Sequence, residues 1–196
     1  MGQARRIMQM PALSVTGLSI GYESRLLSNL SFTVSDKEKV LVIGLNGSGK
    51  TTLLKTIAGI LKPLAGTIKT DKAHIAYLKQ DWPSQEFPIS ALEVASLASN
   101  TARALKMMKA TGCAHLAKRS FFSLSGGERQ RVSLARCLAQ DASLILMDEP
   151  SSFLDRESQA LMSGFLKGPL LADKAVMLVT HDPSLIQALG WRTIEL

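Results

Sequence analysis

Val40-Leu41-Val42-Ile43-Gly44-Leu45-Asn46-Gly47-Ser48-Gly49-Lys50-Thr51 is the stretch on which the fold turns. Its first four residues form an unbroken apolar run, the pattern of a strand buried on both faces in a parallel sheet. The remaining eight carry glycine at their first, fourth and sixth positions, then Lys50 and Thr51. Such glycines let the backbone curl until successive N–H groups converge, and a helix opening at Lys50 adds the positive end of its dipole. A strand, this loop and a helix make a seat for a chain of phosphates. Lys50 would reach the β- and γ-phosphates of a nucleotide and the Thr51 hydroxyl would ligate Mg²⁺. Gly44, Asn46, Gly47, Ser48, Gly49, Lys50, Thr51 and Thr52 are the expected cofactor-binding set of this loop.

Outward from the loop, the helix runs from Lys50 to about Leu61 and Pro63 stops it. Leu144–Met147 and Ala175–Val179 are further buried strands, and Arg192–Leu196 is a short final one. Helices between buried strands give an α/β fold with a parallel sheet. Before the loop, Leu13–Ile20 and Leu30–Val34 alternate apolar with polar or small residues, so they read as a half-buried antiparallel pair. Short strands are expected at Gly66–Thr70 and His74–Leu78. Ala91 to about Gly112 reads as helices, and so does Gly126–Gln140, with Val132, Ala135, Leu138 and Ala139 on one face.

The composition narrows the class. With 196 residues, 46% of them apolar, the chain is expected to be one domain with a real core and not a disordered segment. The longest stretch without a charge, Ile7–Tyr22, has only sixteen residues and is interrupted by Gln9, Pro11 and Gly17. A bilayer needs about 20 apolar residues in a row. Cys113 and Cys137 have no metal-ligand spacing and suggest no disulfide framework, which fits a reducing compartment.

A second acidic site decides between the users of a phosphate loop. Asp148 and Glu149 end the buried run Leu144–Met147, where ligands bind in open α/β sheets. Asp148 would hold Mg²⁺ and Glu149 would polarise an attacking water. A nucleotide kinase or GTPase has no need of that adjacent glutamate, whereas an ATP hydrolase does.

Leu124-Ser125-Gly126-Gly127-Glu128, followed by Arg129-Gln130-Arg131, adds another glycine-rich helix start. The Ser125 hydroxyl and the backbone N–H groups of Gly126 and Gly127 would form a second anion site. With these motifs in this order, the chain from about Leu13 to Leu196 resembles the ATP-binding subunit of an ABC transporter. The resemblance implies a P-loop NTPase of ABC type, with a parallel core sheet, an antiparallel β subdomain and a short α-helical subdomain. All of this would lie in one domain over 1–196, with the helical insertion at about 81–123. It also implies an ATPase using ATP and Mg²⁺. Two copies would close head to tail, each ATP lying between one copy's loop and the other's Ser125, Gly126 and Gly127. The implied partners are that second copy, a transmembrane permease and, through the permease, an extracytoplasmic binding protein. The implied location is the cytoplasmic face of the cell membrane.

Single residues carry over in the same way. Tyr22 matches the aromatic that stacks on adenine. Gln80 matches the glutamine that senses Mg²⁺ and the attacking water while touching the permease. His181 matches the histidine that hydrogen-bonds the γ-phosphate, which a neutral ring can do, and Asp155 matches the residue that communicates across the dimer. The implied catalytic set is Glu149, His181, Gln80 and Lys50, and the implied metal set is Thr51, Gln80 and Asp148. Two positions depart from the pattern. Phe153 stands where alanine is more usual, and Lys37 stands where a glycine commonly precedes the glutamate, so a different turn is expected there.

Only 43 residues separate Gln80 from Leu124, which excludes the long coiled-coil insertion of the related chromosome-maintenance ATPases. Arg103, Lys106, Lys109, Lys118 and Arg119 supply five of the net seven positive charges, on a segment without an acid between Glu93 and Glu128. A solvated helix face or anionic lipid would suit them; nucleic acid is not expected, since base-stacking aromatics are few. Phe87-Pro88-Ile89-Ser90 resembles the same place in the branch that imports metal ions, iron chelates and cobalamin. An exporter subunit of the haem or cytochrome-maturation type, or a soluble non-transport ATPase, are the alternatives.

Overall fold

The computed structural model describes residues 11–22, 25–70, 75–79, 88–152 and 154–196. Strands β1 (Leu13–Gly21) and β2 (Arg25–Val34) pair antiparallel, Leu13 facing Val34, and β4 (Ala65–Lys69) joins β1 on its other edge. The second sheet is parallel throughout. It contains β3 (Lys39–Ile43), β5 (Ile75–Leu78), β6 (Leu144–Asp148), β7 (Ala175–Val179) and β8 (Arg192–Glu195), in the order β5-β6-β7-β3-β8.

Each buried strand feeds two cores by simple alternation. Val40, Val42, Leu144, Leu146 and Met177 point to the side shared with the antiparallel sheet and with helix α1 (Lys50–Ile57). Leu41, Ile145, Met147, Val176 and Leu178 point to the opposite side. There they meet α4 (Gly126–Ala139), α5 (Arg156–Lys167) and α6 (Pro183–Leu189). Burial on both faces is why these strands read as continuous apolar runs.

A third cluster joins α2 (Ala91–Ser96) and α3 (Thr101–Ala110) to α4. The helical middle is two short helices. Ser90 and Glu93 form a capping box at the first, and Asn100 caps the second by accepting the Arg103 N–H. Helix α4 differs from the expected single apolar face. Val132, Ala135 and Ala139 lie against α2 and α3, whereas Leu138 sits with Leu134 and Cys137 against the sheet. A helix placed between two clusters must be apolar on two sides.

One turn differs from expectation. Helix α1 ends at Ile57, before Pro63, because Gly59 takes a left-handed conformation (φ 74°). The Ile60 N–H then returns to the Lys55 carbonyl at 2.9 Å, closing the helix end. At Ser35–Glu38, Lys37 itself takes a left-handed conformation (φ 59°), one that glycine adopts more readily. The turn is closed by the Glu38 N–H on the Ser35 carbonyl and by the Glu38 carboxylate, which accepts from Ser35 N–H at 2.6 Å and pairs with Arg192.

Among the described residues no helix is long and apolar enough to cross a membrane. His74, Gln80, Phe87 and Phe153 lie outside the described residues.

Candidate active site

The sheet order places the chemistry. Strand β7 lies between β6 and β3, so Thr180 and His181, just beyond its end, fall between the Gly44–Thr51 loop and the Asp148–Glu149 pair. All three approach from the carboxyl ends of neighbouring parallel strands, the edge where such sheets bind ligands. A cavity of about 400 Å³ results, lined by Asn46, Gly47, Gly49, Lys50, Thr51, Thr52, Glu149 and His181, with Leu26 at its rim.

The Lys50 ammonium is largely buried and donates to the Gly44 and Leu45 carbonyls at 2.9 and 2.8 Å. Gly49 takes φ 97° and Gly47 φ 82°, both left-handed, so the curl demands glycine at these positions. A side chain on Gly49 would also press on Leu26 Cδ2 at 2.9 Å. Ser48 Oγ is buried beside Gly44 without a hydrogen-bond partner and does not line the cavity. With its curled backbone and the Lys50 ammonium, the loop fits a polyphosphate.

Across the cleft, the Thr51 hydroxyl donates to Asp148 Oδ1 at 3.0 Å. Burial pushes the Asp148 carboxyl above its ordinary range, while hydrogen bonds from Thr51 and Tyr77 pull it back. Among the described residues no three His, Cys, Asp or Glu side chains gather as a metal cage. Mg²⁺ does not need one: it keeps waters and takes one or two protein oxygens beside its phosphates. The Thr51 and Asp148 oxygens, side by side next to the loop, fit that mode.

Glu149 adopts φ 49°, a conformation costing a non-glycine residue about 1–2 kcal/mol. Its surroundings enforce it. Glu149 N–H donates to the Val179 carbonyl at 3.0 Å, Ser152 N–H returns to the Glu149 carbonyl, and Gln130 Nε2 donates to the Pro150 carbonyl at 2.9 Å. The strain aims the carboxylate into the cleft, where Oε1 meets His181 Nδ1 at 2.7 Å and Oε2 accepts from Ser152 Oγ at 3.0 Å. An ionised carboxylate can only accept, so Nδ1 carries the proton in this pair. A neutral His181 then presents Nε2 as an acceptor. Donation to a phosphate therefore requires a doubly protonated ring or an opened pair, a condition not visible in the sequence.

The remaining expected residues stand apart from this cleft. Tyr22, at the end of β1, is 62% exposed. If its ring covers a nucleotide base, Tyr22→Ala will weaken ATP binding about tenfold, since base stacking contributes about 1–3 kcal/mol. A titration showing unchanged affinity would remove Tyr22 from the site.

Ser125, Gly126 and Gly127 do not line the cavity around Lys50. Ser125 caps α4: its Oγ accepts from Glu128 N–H, and Ser125 and Gly126 at this helix start are exposed. Gly127 is required by contact, because a Cβ there would meet Ser158 Cβ at 2.9 Å. Asp155 caps α5 by accepting from Ser158 N–H at 2.8 Å, which holds its carboxyl below the usual range.

Sequence reading overlooked Gln130, Ser152 and Tyr77. The Tyr77 hydroxyl donates to Asp148 Oδ2 at 3.0 Å. Tyr77 lies opposite Leu146 in the parallel register, so Asp148, two residues further, shares its face. Only that register reveals the contact.

Comparison with known proteins now decides the family. Residues 27–152 match the ABC transporter family. The chain belongs to that family. It is 32% identical over 201 residues to the molybdate import ATP-binding protein MolC of Haemophilus influenzae, covering 94% of this chain and 79% of that protein. It is 34% identical over 171 residues to the zinc import ATP-binding protein ZnuC of Vibrio parahaemolyticus, covering 85% and 65%. Among solved structures, a dimeric bacterial ABC transporter cassette superposes with a TM-score of 0.82 at 27% identity, covering 94% of both chains. An inward-facing ABC transporter described as of metal-chelate type gives 0.84 at 32% identity, covering 95% and 79%. The protein is thus an ABC transporter ATP-binding subunit and an ATPase, and its two sheets with their helices are the ABC cassette fold.

Proposed function

We propose that two copies of this ABC subunit close head to tail on two Mg²⁺-bound ATP molecules and drive a membrane permease that imports a metal ion or metal chelate. One observation carries the catalytic part: Lys50, the Thr51–Asp148 pair and the Glu149–His181 pair meet at one cleft, while the Ser125–Gly127 helix start does not line it. A cleft with a phosphate floor and a base, but without that second anion site, is half of an ATP site. A second copy supplies the other half, and symmetry makes two such sites.

In this reading Lys50 and the loop N–H groups hold the phosphates, Thr51 and Asp148 hold Mg²⁺, and Ser125, Gly126 and Gly127 of the second copy close over the γ-phosphate. The ion would neutralise charge on the phosphate oxygens. Glu149 accepts a proton from the attacking water, and His181 orients Glu149 through Nδ1 and would reach a phosphate oxygen only with Nε2 protonated or the pair opened. Catalysis is then mainly positioning and charge stabilisation, as phosphoryl transfer requires. Asp155, beside the same dimer face, links the copies, and Gln80 completes the metal and permease contacts. The subunit would sit on the cytoplasmic face of the membrane, held by its permease, with a binding protein delivering cargo from the other side.

The metal cargo is supported by the zinc and molybdate importers among its relatives. The decisive experiment is reconstitution of the subunit with its permease in vesicles, followed by ATP-dependent uptake of zinc, molybdate and cobalamin. Accumulation of one of them in the import direction supports the reading. ATP-driven extrusion, or hydrolysis without any association with a permease, would overturn it.

A further inference from the structure

We infer that Tyr77 is a positioning residue for the metal-holding carboxylate, fixing Asp148 through its second oxygen. This rests on the reading of Asp148 given above. Asp148 is essentially buried, and each of its oxygens has a separate partner: Thr51 Oγ1 at Oδ1 and the Tyr77 hydroxyl at Oδ2, both at 3.0 Å. The two donors come from different elements, Thr51 from α1 and Tyr77 from the edge strand β5. Between them they fix the plane of the carboxylate.

The two bonds differ in kind. Thr51 is itself placed to give an oxygen to the cation, so its hydroxyl has a second task. Tyr77 has no such task and acts only through Asp148. Its own placement is secured by the parallel register with β6 and by Arg136, which donates to the Tyr77 carbonyl at 3.2 Å. The phenol O–H is the donor in this pair, because an ionised carboxylate can only accept. A donor behind a metal-binding carboxylate orients it, and removing such outer partners typically lowers metal affinity about 10–100-fold.

The inference concerns orientation, so its test separates metal from nucleotide. Tyr77→Phe removes one oxygen and keeps the ring that fills the space beside β6. Binding of the β,γ-imido analogue of ATP is measured by calorimetry for parent and variant, in chelator and over a series of free Mg²⁺ concentrations. The expected result is an unchanged affinity in chelator and a half-maximal Mg²⁺ concentration raised about tenfold. An unmoved Mg²⁺ midpoint would overturn the inference while leaving the site intact. So would equal losses with and without Mg²⁺, which would mark Tyr77 as merely structural. If the parent itself binds the analogue without any dependence on Mg²⁺, the assignment of Asp148 fails and this inference with it.

Discussion

Glu149→Gln is expected to bind ATP as the parent does while hydrolysing it about 10²–10⁴-fold more slowly, the usual contribution of a positioned general base. The substitution suits the site. Glutamine has the same length, its carbonyl can accept from His181 Nδ1, and its amide can donate to Ser152 Oγ. The left-handed backbone at this position (φ 49°) is held by the Val179 and Ser152 contacts, which do not involve the side chain. What disappears is the basic carboxylate proposed to take the proton of the attacking water. Because hydrolysis is what separates two copies closed on ATP, the variant should accumulate as an ATP-bound dimer. Size-exclusion chromatography with and without MgATP reads this directly. Parental turnover, or an ATP-loaded variant that stays monomeric, would remove Glu149 from its assigned role.

Lys50→Ala should act one step earlier, weakening ATP binding about 10–100-fold, as expected for losing charge-assisted hydrogen bonds of about 1.5–3 kcal/mol. Two losses add here. The phosphates lose their cation, and the Gly44 and Leu45 carbonyls lose the ammonium that ties the loop together. The Glu149–His181 pair lies on other strands and stays in place, so the fold should hold. Titration with a fluorescent ATP checks the affinity, and far-ultraviolet circular dichroism checks the fold. Undiminished affinity would mean that the loop backbone alone holds the nucleotide.

The legibility of the sequence follows from how local each feature is. Buried parallel strands announce themselves by continuous apolar runs, so Val40–Ile43, Leu144–Met147 and Ala175–Val179 could be placed without a structure. The phosphate loop was equally plain, because its glycines are needed for backbone reasons that act within eight residues. Features depending on tertiary neighbours were not. Helix α4 was read with one apolar face because nothing local shows that α2 and α3 cover it. Tyr77 was passed over because its contact with Asp148 depends on the register between β5 and β6. The tautomer constraint on His181 likewise needs the Glu149 carboxylate in place.

The contact between Gly127 and Ser158 has a mechanical meaning. It seats the first turn of α4 on the first turn of α5, and Gln130 fastens the same helix to the Pro150 carbonyl beside Glu149. In the proposed dimer, the helix start offered to a partner's ATP and the carboxylate assigned to the subunit's own ATP are thus tied to the same helix, α4. In a head-to-tail pair, a nucleotide pulling on one of them cannot leave the other at rest. Two ATP sites built this way would fire as a linked mechanism, and loosening the Gly127–Ser158 contact would let each turn over on its own clock.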